Sequence, residues 1–133
     1  MKKIVVDSLA LIAFLRKEKG YLKVKKLLEE AKAKKVKLFL CWLNLGEIYY
    51  QVWRKRGQED AQKTLSLIKK LPIELVSVSN ELVLQAAEIK AQFPIALADC
   101  FIAALACEIK ASILTADSEF KKLKNKVSLE WIR

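Results

Sequence analysis

The order of apolar and polar positions along the chain predicts alternating strands and helices. Short runs rich in β-branched and aromatic residues predict strands, and apolar positions that recur every three or four residues predict helices. The predicted strands are 3–6, 38–41, 74–78, 112–114 and, with the weakest pattern, 127–131. The predicted helices are 7–17, 22–35, 43–55, 59–70, 80–92, 96–109 and 119–123.

This alternation predicts an α/β protein. Strands that alternate with helices form parallel βαβ units, with helices on both faces of the sheet. We therefore expect three layers, α/β/α, around a central parallel sheet of four to five strands. The 133 residues contain no repeat, linker or low-complexity segment, so 1–133 is expected to be a single domain.

The composition excludes several classes of chemistry. The chain has no histidine, which removes histidine acid–base catalysis and histidine metal ligands. Its three cysteines are too few for a four-cysteine zinc site, and its three glycines are too few for a phosphate-binding glycine loop. If the protein is an enzyme, carboxylates, lysines, hydroxyls or metals held by oxygen must carry the reaction.

The charge indicates a polyanionic partner. Twenty-five basic residues against 15 acidic ones give a net charge of +10. Residues 16–37 contain ten basic and three acidic residues, and they form either a solvated helix face or a functional surface. The longest weakly charged stretch, 91–107, contains Pro94 and Asp99 and makes a poor membrane span. Without a visible signal peptide, and with an odd number of cysteines, the chain is expected in the cytoplasm and on no membrane.

Four acidic residues occupy unusual positions. Asp7 and Asp117 follow predicted strands, and the carboxyl ends of parallel strands form the ligand crevice of an open α/β sheet. Asp99 lies in the first turn of the otherwise apolar helix 96–109, whose only other charge is near its end. Glu47 lies one turn into the helix that follows the second strand.

Each acid also has a structural explanation. Asp7 and Asp117 would cap the helices that follow them, which is the commonest role of an aspartate at such a junction. Glu47 would be solvated, and Asp99 would pair with a buried lysine. All four together favour a functional anionic cluster, because the chain has only four aspartates in all.

Clustered carboxylates repel one another unless a cation joins them. Oxygen ligands without histidine or cysteine favour Mg2+ or Mn2+ over zinc. An acidic metal cleft in a basic protein suits nucleic acid, since lysines attract the backbone while the metal binds the scissile phosphate.

The acids and the residues around them resemble a known family. Asp7 after the first strand, Asn-Leu-Gly-Glu at 44–47, Ala-Asp-Cys-Phe-Ile-Ala-Ala at 98–104 and Leu-Thr-Ala-Asp-Ser-Glu-Phe at 114–120 resemble the PIN-domain nucleases, and among them the VapC-type toxins of toxin–antitoxin pairs. The resemblance spans nearly the whole chain. It implies a parallel-sheet α/β/α fold and a metal-dependent endoribonuclease.

Carried over residue by residue, the resemblance implies a site. Its acidic tetrad of catalytic and metal-binding residues corresponds to Asp7, Glu47, Asp99 and Asp117. Its supporting residues correspond to Thr115, which orders the last acid, and to Ser8, Asn44 and Glu119. For Glu119 the simpler explanation is an exposed residue in the first turn of a helix.

The same resemblance implies a mechanism and partners. Water activated by Mg2+ or Mn2+ would attack the RNA phosphate in line and leave a 3′-hydroxyl and a 5′-phosphate. The partners would be RNA, a small antitoxin protein and a second copy of the chain. Arg16, Lys17 and Lys19 are predicted to guide RNA from their place after the first helix, whereas the aromatic residues Tyr49, Tyr50 and Trp53 are expected to pack in the core rather than at an interface.

Three alternatives to the toxin remain open. A housekeeping RNA-processing nuclease would have the same fold, and a neighbouring antitoxin gene would favour the toxin instead. A catalytically silent RNA-binding or protein-binding module would gain little from four crowded carboxylates. A phosphatase with a nucleophilic aspartate commonly has a second acid two residues later, whereas here Leu9 follows Asp7 and Ser8.

Overall fold

The structure, a computed structural model, describes all residues from 1 to 133. It contains one five-stranded sheet in which every neighbouring pair is parallel, in the order β3-β2-β1-β4-β5. The strands are β1 (Lys2–Val6), β2 (Val36–Cys41), β3 (Glu74–Val76), β4 (Ser112–Thr115) and β5 (Leu129–Trp131). The predicted α/β fold with a parallel sheet is confirmed, and the sheet has five strands.

Six α-helices and one 3-10 helix connect the strands. The helices are α1 (Ser8–Leu15), α2 (Tyr21–Lys32), α3 (Trp42–Arg56), α4 (Gln58–Lys69), α5 (Asn80–Gln92), α6 (Leu97–Ile109) and the 3-10 helix Ser118–Leu123. No single helix has the length and apolarity needed to cross a membrane. Only α5 and α6 taken together pass that test, and they are bent by 117° at their junction.

The two faces of the sheet carry separate cores. Twenty buried residues form one cluster with α1 to α4, and 19 form the other with α5, α6 and the 3-10 helix. Along β1, Ile4 and Val6 face the first core and Val5 faces the second. This alternation explains why β1 is apolar and buried from Ile4 to Val6, after the exposed Lys2 and Lys3, as expected for a central parallel strand covered on both faces.

The boundaries differ from the predicted ones mainly at element ends. Strand β3 stops at Val76, because 77–79 lead into the Ser79 cap, whose hydroxyl accepts a hydrogen bond from the Leu82 amide at 3.1 Å. The segment predicted as the last helix is a 3-10 helix. The prediction that 96–109 is a buried helix is confirmed, since every residue from 100 to 106 is buried.

Gly20 fits a position that other residues would strain. Its φ of +94° is in the left-handed region, and an added Cβ would lie 2.5 Å from the carbonyl oxygen of Ile132. The turn between α1 and α2 therefore packs directly on the end of the chain, which closes the first core beside β5.

We expect Gly20→Ala to lower the free energy of unfolding by about 2–4 kcal/mol, through backbone strain and the clash with Ile132. Gly46→Ala is the matched control, because Gly46 lies within α3 and nothing lies within 4 Å of an added Cβ there. It should raise the free energy of unfolding by about 0.5–1 kcal/mol, as alanine favours a helix over glycine. Urea unfolding measures the change in the free energy of unfolding for each variant. Changes of the same sign in the two variants would contradict the packing at Gly20.

Candidate active site

Four acidic side chains meet near the carboxyl edge of the sheet. Asp7 follows β1, Asp117 follows β4, Asp99 lies in the first turn of α6, and Glu47 lies in the second turn of α3. Asp99 is close enough to the other three for their charges to raise its pKa. The structure thus brings together all four acids that the sequence singled out.

Thr115 joins two of these acids. Its hydroxyl donates to Asp7 Oδ2 at 2.7 Å and accepts a hydrogen bond from the Asp117 amide at 2.9 Å. Strands β1 and β4 are neighbours, and the Asp7 amide donates to the Leu114 carbonyl at 2.9 Å. Thr115 is fully buried, so it orders both the first and the last acid of the cluster.

Two further polar residues lie behind the acids. The Ser8 hydroxyl donates to Glu47 Oε1 at 2.7 Å, which ties α1 to α3 beside the cluster. The Asn44 amide donates to the carbonyl oxygen of Ala98 at 3.1 Å and so links α3 to the residue before Asp99. Asn44 Oδ1 is buried without a hydrogen-bond partner. Both residues therefore contact the site's framework, as expected for residues that position the acids.

Burial and mutual repulsion raise two pKa values. Loss of solvent raises the pKa of Asp7 from 3.8 to about 6, and the charges of Asp117 and Glu47 add to this, although the hydrogen bond from Thr115 lowers it. The pKa of Asp99 rises to about 7, first through desolvation and then through repulsion from Asp7, Asp117 and Glu47. Asp7 and Asp99 therefore keep their protons to a higher pH than ordinary aspartates do.

No internal cation neutralises the cluster. The structure contains three salt bridges, and none includes any of the four acids. The explanation that Asp99 pairs with a buried lysine is therefore wrong. Capping is also wrong for Asp7, whose side chain makes no cap hydrogen bond, whereas Asp117 does cap the 3-10 helix through the Glu119 amide at 2.9 Å. Glu47 is half-buried.

The donor chemistry of the site fits a hard divalent ion. All four side chains offer carboxylate oxygens, the ligands that Mg2+ and Mn2+ favour. No three of them are arranged to hold one ion directly. One oxygen of Asp7 and one of Glu47 accept hydrogen bonds from Thr115 and Ser8. This arrangement is compatible with Mg2+, which usually keeps several waters and takes only one or two protein carboxylates.

The remaining predicted site residues lie at the margin or farther away. Glu119 is exposed and pairs with Lys122 at 2.9 Å, but its charge also raises the pKa of Asp99, so it lies at the margin of the cluster and its role stays a prediction. Arg16, Lys17 and Lys19 follow the end of α1, about 12 Å along this helix from Asp7. The structure does not bring these three to the acids, and their role in RNA binding stays a prediction.

The aromatic residues of α3 correct one expectation. Tyr49 is half-buried against Trp53, with the ring centroids 5.7 Å apart. Tyr50 and Trp53 are 49% and 43% exposed, so the expectation that they pack in the core was wrong. Trp42, the first residue of α3, is 41% exposed as well. Only the packing of α3 against its neighbours decides which aromatic residues are covered.

Residues 4–126 match the sequence profile of the PIN domain. The chain belongs to the PIN domain family. The match covers all four acids, the strands β2, β3 and β4, and β1 from Ile4 onward. No curated protein sequence matches the chain.

Solved VapC-containing structures share the PIN fold of this chain. VapBC2 from Rickettsia felis, bound to a promoter DNA fragment, has a TM-score of 0.75 at 21% identity over 97% of this chain and 98% of that one. DNA-bound VapBC from Salmonella typhimurium has a TM-score of 0.78 at 15% identity over 100% of both chains. The Sarcin-Ricin loop cleaving toxin VapC20 from Mycobacterium tuberculosis has a TM-score of 0.70 at 18% identity over 89% and 92%. At these identities the likeness concerns the fold.

Asp99→Asn should stabilise the PIN domain at pH 8 when a chelator is present. The raised pKa of Asp99 means that the folded state binds this proton more tightly than the unfolded state, so stability is lost as pH rises from about 4 through about 7. We expect the mutant to gain about 1–2 kcal/mol at pH 8, less than the full shift because Asp99 is partly exposed. The gain should vanish near pH 4 in urea unfolding, and a gain independent of pH would contradict the shift.

Thr115→Val should leave the fold intact and raise the pKa of Asp7, because it removes the hydrogen bond that stabilises the Asp7 carboxylate. NMR titration of the carboxyl carbons measures this change. Thr115→Ser keeps the hydroxyl and should restore the wild-type value. If the valine and serine variants titrate alike, Thr115 does not position Asp7.

Proposed function

We propose that this PIN protein is a metal-dependent endoribonuclease and the toxin of a VapBC-type toxin–antitoxin pair. The observation that carries the proposal is the cluster of four carboxylates, without a neutralising lysine or arginine, in a chain of net charge +10. Such a cluster is unstable by itself and is stabilised by a divalent cation. The positive net charge of the chain favours a polyanionic substrate.

Asp7, Glu47, Asp99 and Asp117 are the residues proposed to hold Mg2+ or Mn2+ and to carry catalysis. When bound, the ion supplies positive charge that lowers the pKa of water and stabilises the charge on the phosphate oxygens. A bound cation would lower the pKa values of Asp99 and Asp7, which burial and mutual repulsion raise, so both side chains would bind it as carboxylates.

The supporting residues keep the acids oriented. Thr115 holds Asp7 Oδ2 and the Asp117 amide, and Ser8 holds Glu47 Oε1. Side chains with fixed rotamers lose little entropy when they bind a ligand, so these contacts favour a preorganised site. Asn44 fixes the backbone before Asp99 in the same way. We propose these three as positioning residues, while Glu119 contributes through its amide.

The absence of histidine restricts the route of RNA cleavage. Attack by the ribose 2′-hydroxyl needs a general base and a general acid, which histidine commonly supplies, and the chain has none. Hydrolysis by water instead leaves a 5′-phosphate and a 3′-hydroxyl. We propose these products, and we place the activity in the cytoplasm.

The proposed protein partners are a small antitoxin and a second copy of the chain. Trp42, Tyr50 and Trp53 lie along one face of α3 and are open to water in the single chain. Exposed aromatic groups of this size are typical of protein interfaces. Several solved VapC relatives are toxin–antitoxin complexes, which supports the antitoxin as partner.

Cleavage of a mixed RNA pool tests the proposed activity. The wild-type protein should cut RNA with Mn2+ or Mg2+ and not with a chelator. Asp99→Asn should reduce the rate by about 100-fold or more, since it removes one anionic ligand of the ion. Asp60→Asn is the matched control, because it makes the same charge change in α4, outside the cluster, and should cut like the wild type.

Equal cutting by the Asp99→Asn and wild-type proteins would exclude Asp99 from catalysis. Failure to cut together with failure to bind Mn2+ in calorimetry would favour the catalytically silent module. Induced expression separates the biological roles, since a toxin should arrest bacterial growth only with Asp99 intact. A wild-type nuclease that cells tolerate would favour the housekeeping role.

A further inference from the structure

The edge of the sheet beyond β4 carries a group of lysines around an indole. We name this surface the basic edge, and it consists of Lys121, Lys124, Lys126 and Trp131. The three lysines are exposed and form no salt bridge. Trp131 ends the edge strand β5 and is half-buried. These residues lie in the part of the chain where neither the charge count nor the family motifs pointed to a partner.

Open space accompanies the basic edge. All four of its residues, with Asn125, line a shallow cavity of about 720 Å³. A second cavity of about 540 Å³ continues from Lys126 to Lys2, Lys3 and Lys110. No acidic side chain lines either cavity, although Lys2 pairs with Glu130 at 2.9 Å. The two together form a basic path with room for an extended polyanion.

The basic edge begins beside the acidic cluster. In the sheet, Trp131 pairs with Thr115, whose hydroxyl holds Asp7. Lys121 follows Asp117 within the same short connection, and its Nζ lies 5.9 Å from the centre of the Trp131 ring. A strand bound at the four acids can therefore continue onto Trp131 and Lys121 without crossing the molecule.

The chemistry of this surface fits single-stranded RNA. Lysine ammonium groups along a groove neutralise backbone phosphates, and an aromatic ring beside them stacks on an unpaired base. A duplex keeps its bases stacked inside, so it would use the lysines without the indole. Lysines also protect edge strands from pairing with other chains, and this simpler role requires no affinity for RNA.

We propose that the basic edge binds the part of a single-stranded RNA that flanks the cleaved phosphate. This inference rests on the proposed nuclease function, because it assigns a path to the substrate of that site. Phosphates of the flank contact Lys124 and Lys126, and one base stacks on Trp131 next to the acids. Arg16, Lys17 and Lys19 line neither of the two cavities, although the Arg133 Nε donates a hydrogen bond to the Lys19 carbonyl oxygen at 3.1 Å.

Binding of a labelled oligo-uridine 12-mer in chelator tests the lysines without cleavage. Lys124→Ala/Lys126→Ala should weaken binding about tenfold and flatten its salt dependence, since each phosphate contact releases counterions. Lys55→Ala/Lys70→Ala is the matched control, with the same charge change at the end of α3 and just before β3, at the opposite edge of the sheet. It should bind like the wild type. Equal weakening by both pairs, or by neither, would overturn the proposal.

Fluorescence tests the stacking at Trp131. A protein with Trp42→Phe and Trp53→Phe has Trp131 as its only indole, because the chain contains three tryptophans. Oligo-uridine should quench its emission, whereas an RNA duplex of equal charge should not. Unchanged emission with the single strand, or equal quenching by the duplex, would exclude base stacking at this position.

The two proposals fail separately. If the Lys124→Ala/Lys126→Ala variant bound oligo-uridine like the wild type, and the wild type cut RNA with a metal ion, only the proposal for the basic edge would be wrong. Binding that depends on Lys124 and Lys126, together with failure to cut RNA and failure to bind Mn2+, would keep the basic edge as an RNA-binding surface and remove the nuclease activity.

Discussion

The parallel pairing of β1 with β4 is the constraint on which the candidate site depends. It sets the ends of the two strands side by side, and Thr115 then bonds both Asp7 and the Asp117 backbone. Helices α3 and α6 add Glu47 and Asp99 to the same edge. Like charges at this separation repel, and partial burial reduces the screening by water. The fold holds them there because their positions are fixed by strand pairing and by helix packing.

The packing of the rest of the fold offsets the unfavourable electrostatic free energy of the acidic cluster. The raised pKa values of Asp7 and Asp99 mean that their charged forms oppose folding at neutral pH. The two cores on either face of the sheet offset this, and α6 contributes seven consecutive buried residues directly after Asp99. An acid at the start of so well packed a helix cannot move away from its neighbours. A bound cation would attract the carboxylates and so offset their mutual repulsion.

The distribution of charge around the acids gives the molecule two electrostatic regions. The cluster is anionic, whereas the chain as a whole carries a net charge of +10. A polyanion is drawn to the lysines but repelled by the carboxylates unless a cation covers them. The basic edge attracts a polyanion close to the acids, because Trp131 and Lys121 lie next to them. It also directs the rest of the polyanion away from the carboxylates, along the lysines.

Local pattern alone predicted the strands, the helices and the four acids. The acids could be singled out because residues after parallel strands lie along one edge of the sheet, and because a lone acid on an apolar helix is visible in the sequence. The tertiary structure decided which acids lack a cation, which hydroxyl holds which carboxylate, and which aromatic residues of α3 stay exposed. It also decided that Trp131 lies beside Lys121 and pairs in the sheet with Thr115, which holds Asp7. These contacts join residues far apart in the chain, and they depend on strand order and helix packing, which no local period of the sequence encodes.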